Sequence, residues 1–360
     1  MKYFDTAVLG GGPVGLATAL AASRHGEVLL LANEPSSTDD VREPDPRIEA
    51  VPVNLLALLL ELGVHPARLG VSTVHARRRI AWQDVAPVTF AAAKSVHLLR
   101  PSLENCLRVM LDRNRRITVR RAAENFQIDP FGVDGVDGTD WHANLMIDAT
   151  GRAAVTAKHR HRTARPWVAR SMTLPITKET SAEQAIFQLA ALPAGYVYRM
   201  QSDGLINVVF VGRDETVKGG CDALTDLLQR HGADWMLAGL PPLNRFDVGK
   251  QAWPTSPQWA TSRTVTLVGD AALARDPLSS QGLACGIAEA LAAATLHSTA
   301  DLAKFRMRQT QQRQLHGRRL VEQIGTCRFA GSAVWQEFAT SLTTSSSFAK
   351  RPASQLFFGE

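Results

Sequence analysis

Phe4-Asp5-Thr6-Ala7-Val8-Leu9-Gly10-Gly11-Gly12-Pro13-Val14-Gly15 decides the fold of this 360-residue chain. An apolar run that breaks into G-x-G-x-x-G and then into small residues reads as strand, tight turn and helix. Gly10 permits the turn out of the strand. Gly12 lets backbone approach a pyrophosphate, and Gly15 lets the helix pack on the sheet. Pro13 and Val14 open that helix, whose free N–H groups and positive dipole end face the phosphates. The pattern runs on through Val14–Arg24, a stop at Gly26 and a buried strand at Val28–Leu31, completing one βαβ unit.

A dinucleotide-binding strand pair ordinarily closes on an acid that holds a ribose. Here Ala32 occupies that position, and Glu34 two residues later is the expected substitute. A second signature lies far downstream. Leu267-Val268-Gly269-Asp270 ends a strand, and Asp276-Pro277-Leu278-Ser279-Ser280-Gln281-Gly282-Leu283 forms a proline-containing loop opening a helix. The Asp270 carboxylate suits a polyol hydroxyl, and the helix start at Gly282 suits negative charge on a reduced isoalloxazine ring. A nicotinamide enzyme has no use for it, so the two motifs together point to FAD. Asp148-Ala149-Thr150-Gly151-Arg152 ends another strand, where Asp148 and Gly151 are expected to bind the cofactor, and Arg100 in Leu99-Arg100-Pro101-Ser102 is expected to reach a phosphate.

The remainder divides by texture. Leu55–Leu62 and Ser102–Asp112 read as helices, the second capped by Ser102. Arg77–Phe90 is β-rich, and Tyr196–Met200 with Leu205–Val211 is a hairpin around a turn. Leu302–Ile324 is a charged helix, and Thr340–Ser347 reads as a loop. The expected fold is α/β (α+β in part): a Rossmann-like FAD domain of the glutathione reductase type with a mostly β substrate domain. The FAD domain is expected over 1–75, 98–163 and 262–300, the substrate domain over 76–97 and 164–261, and a C-terminal helical segment over 301–360.

With 45% hydrophobic and 21% charged residues, the composition is that of a globular protein. The longest apolar stretch, Leu55–Leu60, is too short to span a bilayer, and the N-terminus lacks signal-peptide character. Four cysteines without C-x-x-C spacing suit a reducing cytoplasm, which is the expected location. Neither they nor His159 and His161 offer a metal site. The net charge of +6 is moderate and calls for no nucleic acid. Lys158-His159-Arg160-His161-Arg162 is a solvated basic loop or a patch for an acidic partner, and the seven tryptophans read as packing residues.

At these motifs, over most of 1–160 and 260–300, the chain resembles the FAD-dependent monooxygenases of the p-hydroxybenzoate hydroxylase type and the flavin-dependent halogenases. The resemblance implies a substrate domain that closes over the flavin, with O2 and reducing equivalents as transient co-substrates. No second G-x-G-x-x-G is present, so NAD(P)H binds transiently or a separate flavin reductase supplies electrons. Asp276-Pro277-Leu278-Ser279-Ser280 looks like the halogenase branch, and Lys94 is then its catalytic candidate. Yet the W-x-W-x-I-P signature of tryptophan halogenases is missing. Arg47-Ile48-Glu49 and the run to Gly63, with Arg328–Trp335, resemble the flavoproteins that mature tryptophylquinone cofactors in lysine and glycine oxidases. That likeness implies hydroxylation of a tryptophan in the precursor of a quinone-cofactor oxidase. Arg47 and Glu49 are expected on the substrate side of the flavin, Arg47 also at the cofactor; they are catalytic candidates or, the favoured reading, simply paired with each other. The alternatives are a monooxygenase or halogenase of a small aromatic natural product, and a flavin-bearing binding factor without turnover.

Overall fold

The computed structural model describes residues 2–32, 47–69, 74–121, 127–128, 132–134, 140–157, 159–162, 167–175, 186–202, 204–217, 220–240, 253–262 and 265–344. Glu34 and Lys158 lie outside the described residues. The strands are β1 (Lys2–Leu9), β2 (Val28–Ala32), β3 (Ile48–Pro52), β4 (Val74–Ala81), β5 (Val88–Leu99), β6 (Ile117–Arg121), β7 (Gln127–Ile128), β8 (Gly132–Asp134), β9 (Asp140–Asp148), β10 (His159–Arg162), β11 (Val168–Pro175), β12 (Ile186–Leu192), β13 (Gly195–Ser202), β14 (Leu205–Gly212), β15 (Trp253–Pro254), β16 (Gln258–Thr261) and β17 (Thr266–Leu267). The helices are α1 (Pro13–Ala22), α2 (Asn54–Glu61), α3 (Arg100–Asp112), α4 (Gly220–Arg230), α5 (Asp270–Leu273), α6 (Gly282–Ala293), α7 (Thr299–Gly325) and α8 (Ala333–Thr344).

One sheet is the nucleotide-binding frame. Its order is β6-β2-β1-β9-β8-β7, with β17 also on β9. Every pair among β6, β2, β1, β9 and β17 is parallel. Parallel strands are buried on both faces. Accordingly Val8, Val28, Leu30 and Ile147 pack with α1 and α6 on one side, and Phe4, Ala7, Leu9, Leu29 and Met146 form a separate cluster on the other.

The glycines fix how the first helix meets this sheet. Gly10 has φ +111, a conformation that L side chains rarely adopt. A Cβ on Gly15 would stand 1.9 Å from the Gly10 carbonyl oxygen. Gly15→Ala therefore has to push α1 away from the loop. The expected loss is about 1–3 kcal/mol of stability, measured by chemical denaturation.

The second sheet has the order β15-β11-β14-β13-β12-β4-β5-β3. It contains β3, although Ile48–Pro52 falls within 1–75 of the chain. α4 covers one face through Leu224, Leu227 and Leu228. The other face carries an aromatic core built by the C-terminal helices: Trp335 lies 5.6 Å from Trp82 and 4.9 Å from Trp167. Its indole N–H donates to Leu192 O at 2.8 Å. Packing thus accounts for three tryptophans.

Two local expectations need correction. α3 begins at Arg100 with Leu99 as its N-cap, so Ser102 lies inside the first turn. Pro101 is tolerated there because first-turn N–H groups have no helical acceptor. Of the Thr340–Ser347 segment expected as loop, Thr340–Thr344 belong to α8, and 345–347 lie outside the described residues. Trp335, Phe338 and Leu342 are buried at helical spacing, and that packing outweighs the low helix propensity of serine and threonine. Among the described residues no helix is long and apolar enough to cross a membrane.

Candidate functional site

Three strand ends converge where the parallel sheet reverses its direction of growth, the usual ligand crevice of such sheets. β1 ends at the glycine loop, β9 at Ala149–Arg152, and β17 at Val268–Asp270. Backbone bonds lock them together: Ala149 N–H donates to Leu9 O at 2.8 Å, and Val268 N–H to Asp148 O at 3.0 Å. A cavity of about 730 Å³ opens above them, a size common for cofactor sites.

Gly10, Gly12, Pro13, Val14, Arg47, Glu49, Arg100, Gly151, Asp270, Pro277, Gly282 and Leu283 all line this cavity. A Cβ on Gly12 would have nothing within 4 Å, and no side chain caps α1. The open space over an uncapped helix N-terminus is a cradle for an anion. Arg100, Arg152 and Arg275 also reach the cavity. These features fit the pyrophosphate of a dinucleotide.

Gly15 and Gly269 support the loops from behind the cavity wall. Gly269 turns the chain at φ 60, and its N–H donates to Glu289 Oε2 at 2.9 Å. Glu289 also faces Arg275 at 3.6 Å. Burial pushes the Glu289 carboxyl up, against the pull of Arg275. Burial likewise raises Asp270, opposed by Arg152, Arg100 and Arg275.

Several expected residues stand elsewhere. Asp148 is fully buried, and both its oxygens are taken internally. Oδ1 accepts from Thr150 N–H and Oγ1, and Oδ2 from Thr156 N–H and Oγ1, at 2.6–2.9 Å. It braces the loop after β9 and does not contact the cavity. Glu49 pairs with Arg100 at 2.9 Å, where Arg47 was the expected partner. Arg100 also holds Glu104 at 2.8 Å, one helical turn along α3. Burial works against the Arg100 charge, but the two carboxylates outweigh it and hold the guanidinium above its ordinary value. Lys94 is exposed on β5 and does not line the cavity.

The opposite wall comes from the second sheet and was not foreseen. Phe187, Leu189, Tyr196, Tyr198, Met200 and Val209 project from β12, β13 and β14 over the strand ends. Tyr196 O–H donates to Asp276 Oδ1 at 2.7 Å, and Leu278 N–H donates to the same oxygen at 2.9 Å. Asp276 is 1% exposed, and its Oδ2 has no hydrogen-bond partner among the described residues. Burial raises its carboxyl to about 6, against the hydrogen bonds from Leu278 and Tyr196. Burial and the nearby Asp276 charge push the Tyr196 hydroxyl well up. One cavity therefore has an anion cradle at one end and an apolar aromatic wall at the other. Its volume suits a dinucleotide, and the aromatic wall offers an apolar seat for a ring.

No protein-family model matches the chain, and no curated protein matches it in sequence. Solved structures do match in fold. The myxobacterial chondrochloren halogenase CndH, an FAD-dependent halogenase, aligns with a TM-score of 0.75 at 21% identity over 94% of this chain and 86% of its own. The peptidyl tryptophan dihydroxylase QhpG, essential for tryptophylquinone cofactor biogenesis, aligns at 0.67 and 22% identity, covering 93% and 78%. The p-nitrophenol 4-monooxygenase PnpA of Pseudomonas putida aligns at 0.66 and 18%, covering 98% and 100%. The chain has the fold of FAD-dependent aromatic monooxygenases and halogenases.

Proposed function

We propose that this chain is an FAD-dependent monooxygenase that hydroxylates an aromatic ring, and that the ring is a tryptophan side chain of a partner protein, the precursor of a quinone-cofactor oxidase. The observation that carries the reading is the single cavity joining the Gly12 cradle to the aromatic wall of β12–β14. The fold shared with a peptidyl tryptophan dihydroxylase supports the choice of substrate.

When bound and reduced, FAD supplies O2 activation, with one oxygen atom going to an electron-rich carbon and the other leaving as water. The chain's own residues do the rest. Gly12 and the first N–H groups of α1 bind the pyrophosphate. The Asp270 carboxylate accepts from a polyol hydroxyl. The N-terminus of α6 at Gly282 stabilises negative charge near the ring. Tyr198, Phe187 and Met200 exclude water and orient an indole. Indole is electron-rich, so no metal and no strong base are demanded.

Halogenation finds less support, because Lys94, its candidate lysine, is exposed and off the cavity. The test is intact-mass analysis of a precursor co-expressed with the chain, alongside flavin absorbance of the purified protein. A gain of one or two oxygens on a precursor tryptophan is the expected result. An FAD-loaded protein that oxidises NAD(P)H, alone or with a flavin reductase, yet leaves every precursor tryptophan unchanged would refute the protein substrate.

A further inference from the structure

The second sheet leaves one of its rows unfinished. β5 is 12 residues long, but β3 pairs only with Ser95–Leu99. Val53 N–H still donates to Lys94 O at 3.3 Å, and the chain then leaves the row to enter α2. Opposite Val88–Ala92, on the side away from β4, no described strand follows. Val88 is 57% and Phe90 43% exposed. An apolar strand with one unpaired side is a template for another extended chain.

Register ties this edge to the cavity. Phe90 pairs with Arg78 on β4, and Arg78 pairs with Phe187 on β12. Paired residues share a sheet face, so one row runs from the edge to the cavity wall. The Arg78 guanidinium lies 5.8 Å over the Phe187 ring, and its buried Nε has no hydrogen-bond partner among the described residues. Charge narrows the occupant. Residues 77–94 carry Arg77, Arg78, Arg79 and Lys94 against one acid, Asp84. A second copy of this edge would set cation against cation, whereas an acidic strand meets opposite charge.

We propose that Val88–Ala92 is a docking strand, on which an acidic, extended segment of the substrate protein adds to the sheet beside the residue to be modified. This rests on the reading of a protein substrate given above. The segment gains backbone hydrogen bonds from the edge, and its acidic side chains meet Arg77, Arg78 and Lys94.

The test presents the full-length, FAD-loaded protein with a displayed library of ten-residue peptides, each holding a central tryptophan among randomised positions. Enrichment of Asp- and Glu-rich sequences is expected. A synthetic peptide of the enriched sequence, followed by fluorescence anisotropy, is expected to bind more weakly as salt rises. Phe90→Glu and Lys94→Glu are each expected to weaken it by roughly tenfold or more. Both positions are exposed, and the variants' flavin absorbance and melting temperature show that the fold is kept. Peptides without acidic bias, or binding indifferent to both variants, would overturn the proposal. So would a wild-type dimer in sedimentation that Phe90→Glu converts to monomer, since the edge would then belong to a second copy. Should the peptides behave as expected while precursor tryptophan never gains oxygen, the hydroxylase reading fails and the docking strand stands.

Discussion

Gly12→Asp is expected to weaken FAD binding severely while leaving the apoprotein at least as stable as before. Gly12 is the N-cap of α1 and has φ −78 and ψ 176, a backbone that any residue adopts. A Cβ there meets nothing within 4 Å. Aspartate is a preferred N-cap whose carboxylate accepts from first-turn N–H groups, so the helix gains up to ~1 kcal/mol. Those N–H groups and that volume are the ones a pyrophosphate needs. The new carboxylate satisfies the donors and repels the ligand. Losing charge-assisted hydrogen bonds at ~1.5–3 kcal/mol each makes the expected loss of affinity on the order of 100-fold or more. Flavin titration followed by fluorescence measures the affinity, and urea denaturation of the apoprotein measures the fold. Unchanged FAD affinity would remove the cradle from the site. A large loss of apoprotein stability would mean that the glycine serves packing, as Gly15 does.

Gly12 and Gly15 also show what a sequence can disclose. Their roles follow from local geometry, because strand, turn and helix are contiguous and each glycine has one steric reason. The Gly269-Asp270 turn is legible on the same grounds. Asp148 was misread because an acid at a strand end has the same appearance whether it faces a ligand or its own loop. Thr150 and Thr156 decide the matter, and their hydroxyl geometry is not visible in a residue pattern. The Glu49–Arg100 pair joins β3 to the start of α3 across 51 residues, so the nearer Arg47 looked the better partner. The aromatic wall escaped notice for a related reason. Tyr196 and Tyr198 alternate as in any half-buried strand. Only the closure of the second sheet over the first turns that face into a cavity wall.

The pair between Tyr196 and Asp276 spans 80 residues and links β13 to the loop between α5 and α6, and it carries the second large expected effect. Folding raises the Asp276 carboxyl from 3.8 to about 6, chiefly by burial. The native state therefore binds this proton more tightly than the unfolded chain does. Stability from this group is full below pH ~4 and is lost as pH rises through ~6, a span of ~3 kcal/mol. The groups facing it are the Arg152 guanidinium, from the turn after β9, and the Tyr196 and Tyr198 hydroxyls of β13. Asp276→Asn keeps Oδ1 as acceptor for Tyr196 O–H and Leu278 N–H and removes only the titrating charge. The stability of the Asn variant minus that of the native protein is thus expected to climb by ~3 kcal/mol between pH 4 and pH 7, whatever Asp270 and Glu289 contribute to both. Urea denaturation of the apoproteins at intervals of pH gives this difference directly. A flat difference would mean that Asp276 is not the buried, ionising carboxylate described. At neutral pH a neutral asparagine escapes this ~3 kcal/mol, against about 1–3 kcal/mol for its unpaired amide hydrogens. Asp276 shares the cavity lining with Tyr196, Tyr198 and Gly282, so its costly carboxylate puts negative charge at the end where the proposed function seats the substrate ring. The same Asn variant should then bind FAD within about twofold of the native protein yet hydroxylate poorly, releasing hydrogen peroxide from the oxygen it consumes.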